Sequence, residues 1–289
     1  RTNVGALGRI GNAQGRVHAL HTSTRDNRHW HAGISLSRFG STQVPQRTFS
    51  YIGRTYELET GELPNTGGQS AHAVLGFGRR FPNGGVASWA MRASDVQQGL
   101  FPGIVGVPVQ GDLEPNANPF EVRIPAQHAS RLASSFKWEG PTGANGEQWT
   151  GKAAAAFNQR LEFAPPHAHG WGPEPDSDLS LSFEEHSVFI EGRRLGPHAK
   201  VGVQAEGQWV QTAGWEFLVP SHRRLRGSLL AESTLRKATL AARLDAVIAR
   251  QEGYQEPQYN AEGAVVGVDV RALPFERVVP GGMVSWLRP

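Results

Sequence analysis

Segments in which apolar residues alternate with polar or small ones recur along most of the chain. Clear examples are Ala32, Ile34 and Leu36; Ala87, Trp89 and Met91; Val201, Val203 and Ala205; and Ala264, Val266, Val268 and Val270. A period of two places the apolar side chains on one face of an extended strand. The pattern therefore predicts a chain built mainly from β-strands.

Turn-forming residues separate these segments. Gly and Pro number 35 and 19, and they fall between the apolar runs, as in Leu63–Gly68 and at Asn83-Gly84, a good hairpin sequence. No repeat of 20 to 50 residues recurs, which disfavours a propeller or a solenoid. We expect a mainly β fold, a sandwich or barrel of jelly-roll type with loop insertions.

One segment near the C-terminus has a different pattern. Ser228 can cap a helix and Gly253 can end it. Between them Leu229, Leu240, Leu244, Val247 and Ile248 fall on one side at helical spacing. This predicts one long amphipathic helix, the only one longer than about 15 residues, with Leu240, Leu244 and Ile248 buried.

The same patterns give a domain organisation. Residues 1–28 lack sustained periodicity and are predicted to form an extended N-terminal arm that reaches a neighbouring subunit. Residues 29–289 are predicted to form one β-rich main domain. Alanine-rich stretches around Ala129–Phe136 and Ala153–Phe157 predict a helical and loop insertion at about 126–160.

Composition narrows the chemistry that is possible. The chain has no cysteine, which excludes disulfides, thiolate nucleophiles and cysteine-based metal sites. No run reaches the roughly 18 apolar residues of a membrane-spanning helix, and no signal peptide is visible. We therefore expect no membrane span and a virion or cytoplasmic location. The formal charge is only +3, which is weak evidence for nucleic-acid binding.

The strongest candidate for chemistry is a histidine pair with a nearby carboxylate. His167, His169 and Glu174 are side chains that suit a divalent metal. The prolines and glycines around them predict a loop, however, so we expect no tightly held metal, no cofactor and no catalytic residue. A metal-dependent enzyme on a β-scaffold that uses these three residues remains one alternative function.

Arginine occurs in three doublets, Arg79-Arg80, Arg193-Arg194 and Arg223-Arg224. Arginine suits planar pairing with carboxylates and phosphates. A second alternative is therefore an RNA- or DNA-binding subunit of a nucleoprotein complex, with weak contacts through these arginines. The doublets lack the interleaved aromatic residues of a single-strand platform.

The predicted arm, the many strands and the abundance of Arg and Trp together favour a structural role. We expect a self-assembling protein, a virion component such as a phage capsid or tail protein. Its partners would be copies of itself and other structural proteins.

Overall fold

A computed structural model describes residues 2–9, 14–45, 48–51, 54–58, 61–101, 118, 120–165, 176–215, 220–235, 238–251, 261–273, 277–278 and 283–288. Most of these residues lie in strands, so the predicted mainly β class is confirmed. The strands are β1 (Thr2–Arg9), β2 (Gln14–Arg25), β3 (Arg28–Phe39), β4 (Thr42–Gln43), β5 (Thr48–Tyr51), β6 (Arg54–Glu57), β7 (Glu62–Leu63), β8 (Gly68–Arg80), β9 (Val86–Gly99), β10 (Ala126–Glu139), β11 (Gln148–Phe163), β12 (Leu179–Leu195), β13 (Ala199–Ala213), β14 (His222–Leu235), β15 (Ala238–Gln251), β16 (Ala261–Leu273), β17 (Arg277–Val278) and β18 (Met283–Arg288).

Fourteen of these strands form one antiparallel sheet. Its order is β1, β2, β3, β8 and then β9 to β16 in sequence, with β17 and β18 both paired to β16. Two small sheets, β4 with β7 and β5 with β6, lie within the connection between β3 and β8. Each long strand thus pairs with strands that are close to it along the chain, as in an up-and-down meander.

Most of the connections at one end of the sheet are longer than those at the other, the connection between β1 and β2 being an exception. At one end, here called the short-connection end, the hairpins turn at 26–27, 81–85, 140–147 and 196–198. At the other, the long-connection end, the chain runs through 40–67, 100–125 and 164–178 before it returns. Asp26 and Asn27 both have positive φ, 48° and 64°, as the tight turn between β2 and β3 requires.

One asparagine ties two long connections together. Asn65 is 5% exposed and adopts a φ of 56°. Its side-chain Nδ2 donates to the carbonyls of Leu100, Arg123 and Pro125 at 3.0, 2.9 and 2.7 Å, and its Oδ1 accepts from the Arg123 amide at 2.9 Å. The connection after β3 is thereby bound to the connection before β10.

The helix predicted between Ser228 and Gly253 is not supported by the described part of that segment. The residues there form β14 and β15, which pair with each other and with β13 and β16. A spacing of four, as from Leu244 to Ile248, places two residues on one face of a helix and also on one face of a strand, so this spacing does not distinguish a helix from a strand. Leu244 and Ile248 are exposed, at 42% and 63%, and the prediction that they are buried is wrong.

Two other segments also differ from expectation. The alanine-rich stretches predicted to be helical within 126–160 lie in β10 and β11, which pair from Ala126 with Phe163 to Glu139 with Thr150. Within the predicted arm, β1 and β2 are strands of the main sheet. Cross-strand pairing decided both cases, because it overrides the helix propensity of alanine and orders a segment whose glycines have little preference of their own.

Across the described ranges, the structure has no helix of the length and apolar character needed to cross a membrane.

Candidate functional site

The pairing register divides the residues of the main sheet between two faces of opposite character. Residues that pair directly across antiparallel strands share a face. One such row joins Trp30, Phe77, Trp89 and Phe136 across β3, β8, β9 and β10. A second joins Ile34, Ala73, Ala93, Leu132 and Phe157 from β3 to β11. We call this side the apolar face.

The apolar face is exposed and has no second layer over it among the described residues. Ile190, Val203, Leu225 and Ile248 are 62%, 57%, 57% and 63% exposed. The large buried hydrophobic side chains are few in the described ranges, and Leu58 is an example. Soluble monomers rarely expose contiguous apolar patches larger than a few hundred Å². This face, which extends over most of the sheet, therefore needs a covering environment.

Charged groups bound the apolar face at both ends. Arg28, Arg79 and Arg194 lie at the short-connection end, and Arg38, Asp95, Arg223 and Arg250 lie at the long-connection end. Between them, β13 carries an uninterrupted apolar series from Val201 to Trp209. At about 3.4 Å per residue this series is about 27 Å long. The apolar band thus has a defined height.

The opposite side, the polar face, carries small residues and ion pairs. Lys152 and Arg193 both pair with the buried Glu191, at 3.5 and 2.6 Å. Further pairs on this face are Lys200–Glu232 at 2.6 Å, Arg224–Glu206 at 3.1 Å, Lys137–Glu139 and Arg160–Glu162. Glu185 also accepts hydrogen bonds from Asn158 and Gln208, at 3.0 and 2.7 Å.

Asp245 is the centre of the most extensive network on the polar face. It accepts from Nε of Arg226 at 3.2 Å and from Nε of Arg243 at 2.9 Å, and the Ser228 hydroxyl also donates to it. Charge-assisted hydrogen bonds of this kind are stronger than neutral ones. The carboxylate of β15 therefore holds two guanidinium groups, one from β14 and one from β15, in fixed positions.

A serine, a histidine and an aspartate meet on the other side of the sheet, at the long-connection end of the apolar face. His128 Nε2 and the Ser130 hydroxyl both lie 2.7 Å from Asp95 Oδ2, and Ser130 is 3.3 Å from the same His128 nitrogen. In a nucleophilic triad one imidazole nitrogen faces the acid and the other faces the hydroxyl. Here one nitrogen faces both, so the cluster is a polar edge to the apolar face and not a nucleophile relay.

The residues predicted from the sequence as possible metal ligands, His167, His169 and Glu174, lie outside the described residues. Within the described ranges, no group of three or more His, Asp or Glu side chains is placed to hold a metal ion. The arginine doublets lie on strands, where neighbours point to opposite faces. Arg193 accordingly binds Glu191 on the polar face, whereas Arg194 binds Glu147 in a hairpin.

Sequence reasoning did not identify the charged residues of the polar face. The signal was present in the alternation itself. Polar residues alternate with apolar or small ones along β14, as in Arg224, Leu225, Arg226, Gly227, Ser228 and Leu229. Such a pattern predicts a strand with an apolar face and a polar face, but it does not show what lies against each face. Comparison of the chain with protein-family models, with curated proteins and with solved structures gives no match.

Proposed function

We propose that the main sheet crosses a lipid bilayer, with its apolar face toward the lipid and its polar face lining an aqueous passage for polar solutes. The observation that carries this proposal is the exposed apolar face, regular over β3 to β15 and opposite a face of paired charges. In a bilayer the acyl chains cover such a face, and its exposure carries no cost in free energy.

The dimensions of the strands support this position. Strands of about 9–11 residues suffice to cross a bilayer when tilted. The strands from β8 to β15 have 13 to 17 residues, so they are long enough to cross and extend beyond it. The apolar series of about 27 Å on β13, tilted by about 40°, matches an apolar band roughly 20–25 Å tall.

The distribution of aromatic residues and connections supports the same position. Trp30, Phe77, Trp89 and Phe136 form a row near the short-connection end, where membrane strands carry aromatic side chains at the lipid–water interface. Short connections at one end and long connections at the other are also typical of membrane-spanning antiparallel strands.

A membrane position requires the sheet to be closed. An open sheet edge would leave backbone N–H and C=O groups unpaired in hydrocarbon, at several kcal/mol each. The edge strand β1 and the opposite edge at β16 to β18 must therefore be paired in the membrane. Of the two arrangements predicted from the sequence, the closed barrel meets this requirement, whereas a sandwich would place a second sheet on the apolar face.

The self-assembly expected from the sequence would also cover the apolar face, but with protein. In a virion component, a second copy or another structural protein would cover the apolar residues. The two functions differ in what lies against Val201, Val203 and Ala205, lipid in one and protein in the other. The metal-dependent enzyme and the nucleic-acid-binding subunit remain predictions that no observation on the described residues favours.

The absence of cysteine allows a direct test. Single cysteines placed at 201 to 206 along β13 of the full chain, reconstituted in vesicles, are treated with a charged thiol reagent and with a membrane-soluble one. We expect Gly202→Cys, Gln204→Cys and Glu206→Cys to react with the charged reagent. Val201→Cys, Val203→Cys and Ala205→Cys should react only with the membrane-soluble reagent.

The same vesicles should release a trapped polar dye or small sugar, because the polar face would line an open path. Equal reactivity of odd and even positions would overturn the proposal. So would a chain that stays out of the vesicles and protects positions 201, 203 and 205 in a lipid-free assembly. That second result would favour the virion component.

A further inference from the structure

Positive charge on the polar face is unevenly balanced from strand to strand. On β12 to β15 the basic groups have carboxylate partners, as in Arg224 with Glu206 and Arg243 with Asp245. On β9 and β10, Arg92 and Arg131 are exposed, and neither has an ion-pair partner among the described residues. At the centre of the sheet the polar face thus carries two positive charges that no carboxylate in the described ranges compensates; Arg16 on β2 and Arg80 on β8 are further exposed arginines of this face without an ion pair there.

Arg92 and Arg131, together with Arg160 of β11, form a diagonal series across adjacent strands. Arg92 pairs in register with Ala133, Arg131 pairs with Ser94 and Asn158, and Arg160 pairs with Ala129. From Arg92 to Arg131 to Arg160, each arginine lies two residues, which is one position on the polar face, farther toward the long-connection end. Diagonal neighbours on one face of an antiparallel sheet lie about 7–8 Å apart, so long side chains can contact a common ligand.

The wall next to this series leaves room for a ligand. A cavity of about 670 Å³ is lined by Arg92 and mostly by small residues of β9 to β12, such as Ala90, Ala133 and Ala154. Phe189 of β12 and Glu206 of β13 also line it, and Glu206 is bound to Arg224. Arg131 and Arg160 lie one and two positions farther toward the long-connection end. The three arginines therefore form a series that runs from that end of the sheet to the cavity.

The geometry points to an oxyanion-binding site formed by Arg92, Arg131 and Arg160, which selects solutes with phosphate, sulfate or carboxylate groups. This inference rests on the proposed passage and names its substrate class. Guanidinium groups bind such oxyanions through two parallel hydrogen bonds, and they stay charged at every pH of interest. Arg160 also binds Glu162, which orients it, whereas Arg92 and Arg131 keep their full charge for the solute.

The test measures ion selectivity and binding on the full chain. In a planar bilayer under a KCl gradient, the wild-type protein should favour chloride over potassium, and inorganic phosphate should reduce the current. The variant R92Q/R131Q should lose the chloride preference, and its affinity for phosphate, measured by calorimetry in detergent, should fall at least about tenfold. Sulfate and acetate should compete with phosphate, and glucose should not.

The control variant is R223Q, which removes the same charge from an exposed position on the apolar face. It should keep both the selectivity and the phosphate affinity. R92K and R131K are second variants in case the double variant does not fold. They preserve the charge but not the planar donor pair, so phosphate affinity should fall while chloride preference remains.

The outcomes separate this inference from the proposed function. Conductance with unchanged selectivity and unchanged phosphate binding in R92Q/R131Q would overturn the oxyanion site and leave the passage intact. Absence of conductance, together with phosphate binding that R92Q/R131Q abolishes, would overturn the passage and support the site. Wild-type protein that neither binds phosphate nor prefers chloride would also overturn the site.

Discussion

The indole of Trp89 on β9 donates a hydrogen bond of 2.8 Å to the hydroxyl oxygen of Ser134 on β10. Both residues lie on the apolar face. Trp89 pairs in register with Phe136, and Ser134, two residues from Phe136 along β10, is therefore a diagonal neighbour of Trp89. The bond satisfies two polar groups in a part of the face where the neighbouring side chains, such as Phe77, Met91 and Phe136, are apolar. An unpaired hydroxyl in hydrocarbon would cost free energy, so the two residues depend on each other.

This dependence can be measured with a double-mutant cycle. Trp89→Phe removes the donor and leaves the Ser134 hydroxyl unpaired, and we expect it to lower the free energy of unfolding by about 1–3 kcal/mol. Ser134→Ala in the Trp89→Phe background should recover part of that loss. Urea unfolding from lipid vesicles measures all four variants. A coupling energy near zero would show that the bond has no part in stability.

Charge placed on the two faces should have opposite consequences. Ala205→Arg puts a guanidinium in the middle of the apolar band on β13, and the proposed bilayer position predicts a loss of about 2–4 kcal/mol. Gln204→Arg is the matched control, one residue away on the polar face, and should change the free energy of unfolding by less than about 1 kcal/mol. Similar values for the two variants in vesicles would contradict the assignment of the faces.

Removing the carboxylate of Asp245 should destabilise the polar face. Asp245→Asn leaves the guanidinium groups of Arg226 and Arg243 facing each other without an anion, and we expect a loss of about 1–3 kcal/mol. Arg243→Gln in the Asp245→Asn background should restore part of that loss, because it removes one of the two like charges. If the double variant is less stable than Asp245→Asn alone, mutual repulsion is not the cause.

The Asn65 contacts predict a local effect at the long-connection end. Asn65→Ala removes the side-chain donor to three carbonyls and the acceptor for the Arg123 amide. We expect a loss of about 1–3 kcal/mol, since the groups it leaves behind are partly buried. Hydrogen exchange should accelerate at Arg123 and remain unchanged at the centre of β13. Uniform acceleration over the whole sheet would show that Asn65 stabilises more than this connection.

The strand content could be predicted from the sequence, because the alternation of small or polar with apolar residues is local. The turn at Asn83-Gly84 lies in the short connection between β8 and β9, where Gly84 has a φ of 86°. The helix predicted from Ser228 to Gly253 is not supported by the described residues of that segment, which form β14 and β15. Its leucines lie four residues apart, a spacing that fits one face of a helix and also one face of a strand. Only the pairing with β13 and β16 distinguishes the two structures.

The candidate site could not be predicted in the same way. Arg92, Arg131 and Arg160 are far apart in the sequence, and nothing local marks them as a group. Their diagonal arrangement depends on the register of β9 with β10 and of β10 with β11. A shift of either pairing by one residue would place an arginine on the opposite face, because strand side chains alternate with a period of two.

The sequence by itself determined that the chain forms strands with two chemically distinct faces, since a period of two is a property of each segment alone. Only the tertiary structure decided that most of these strands join in one sheet and that its apolar face is left exposed. It also decided that charges distant in the sequence are paired, or remain unpaired, on the other face. Strand order and register depend on contacts between segments remote along the chain, and no local pattern encodes such contacts.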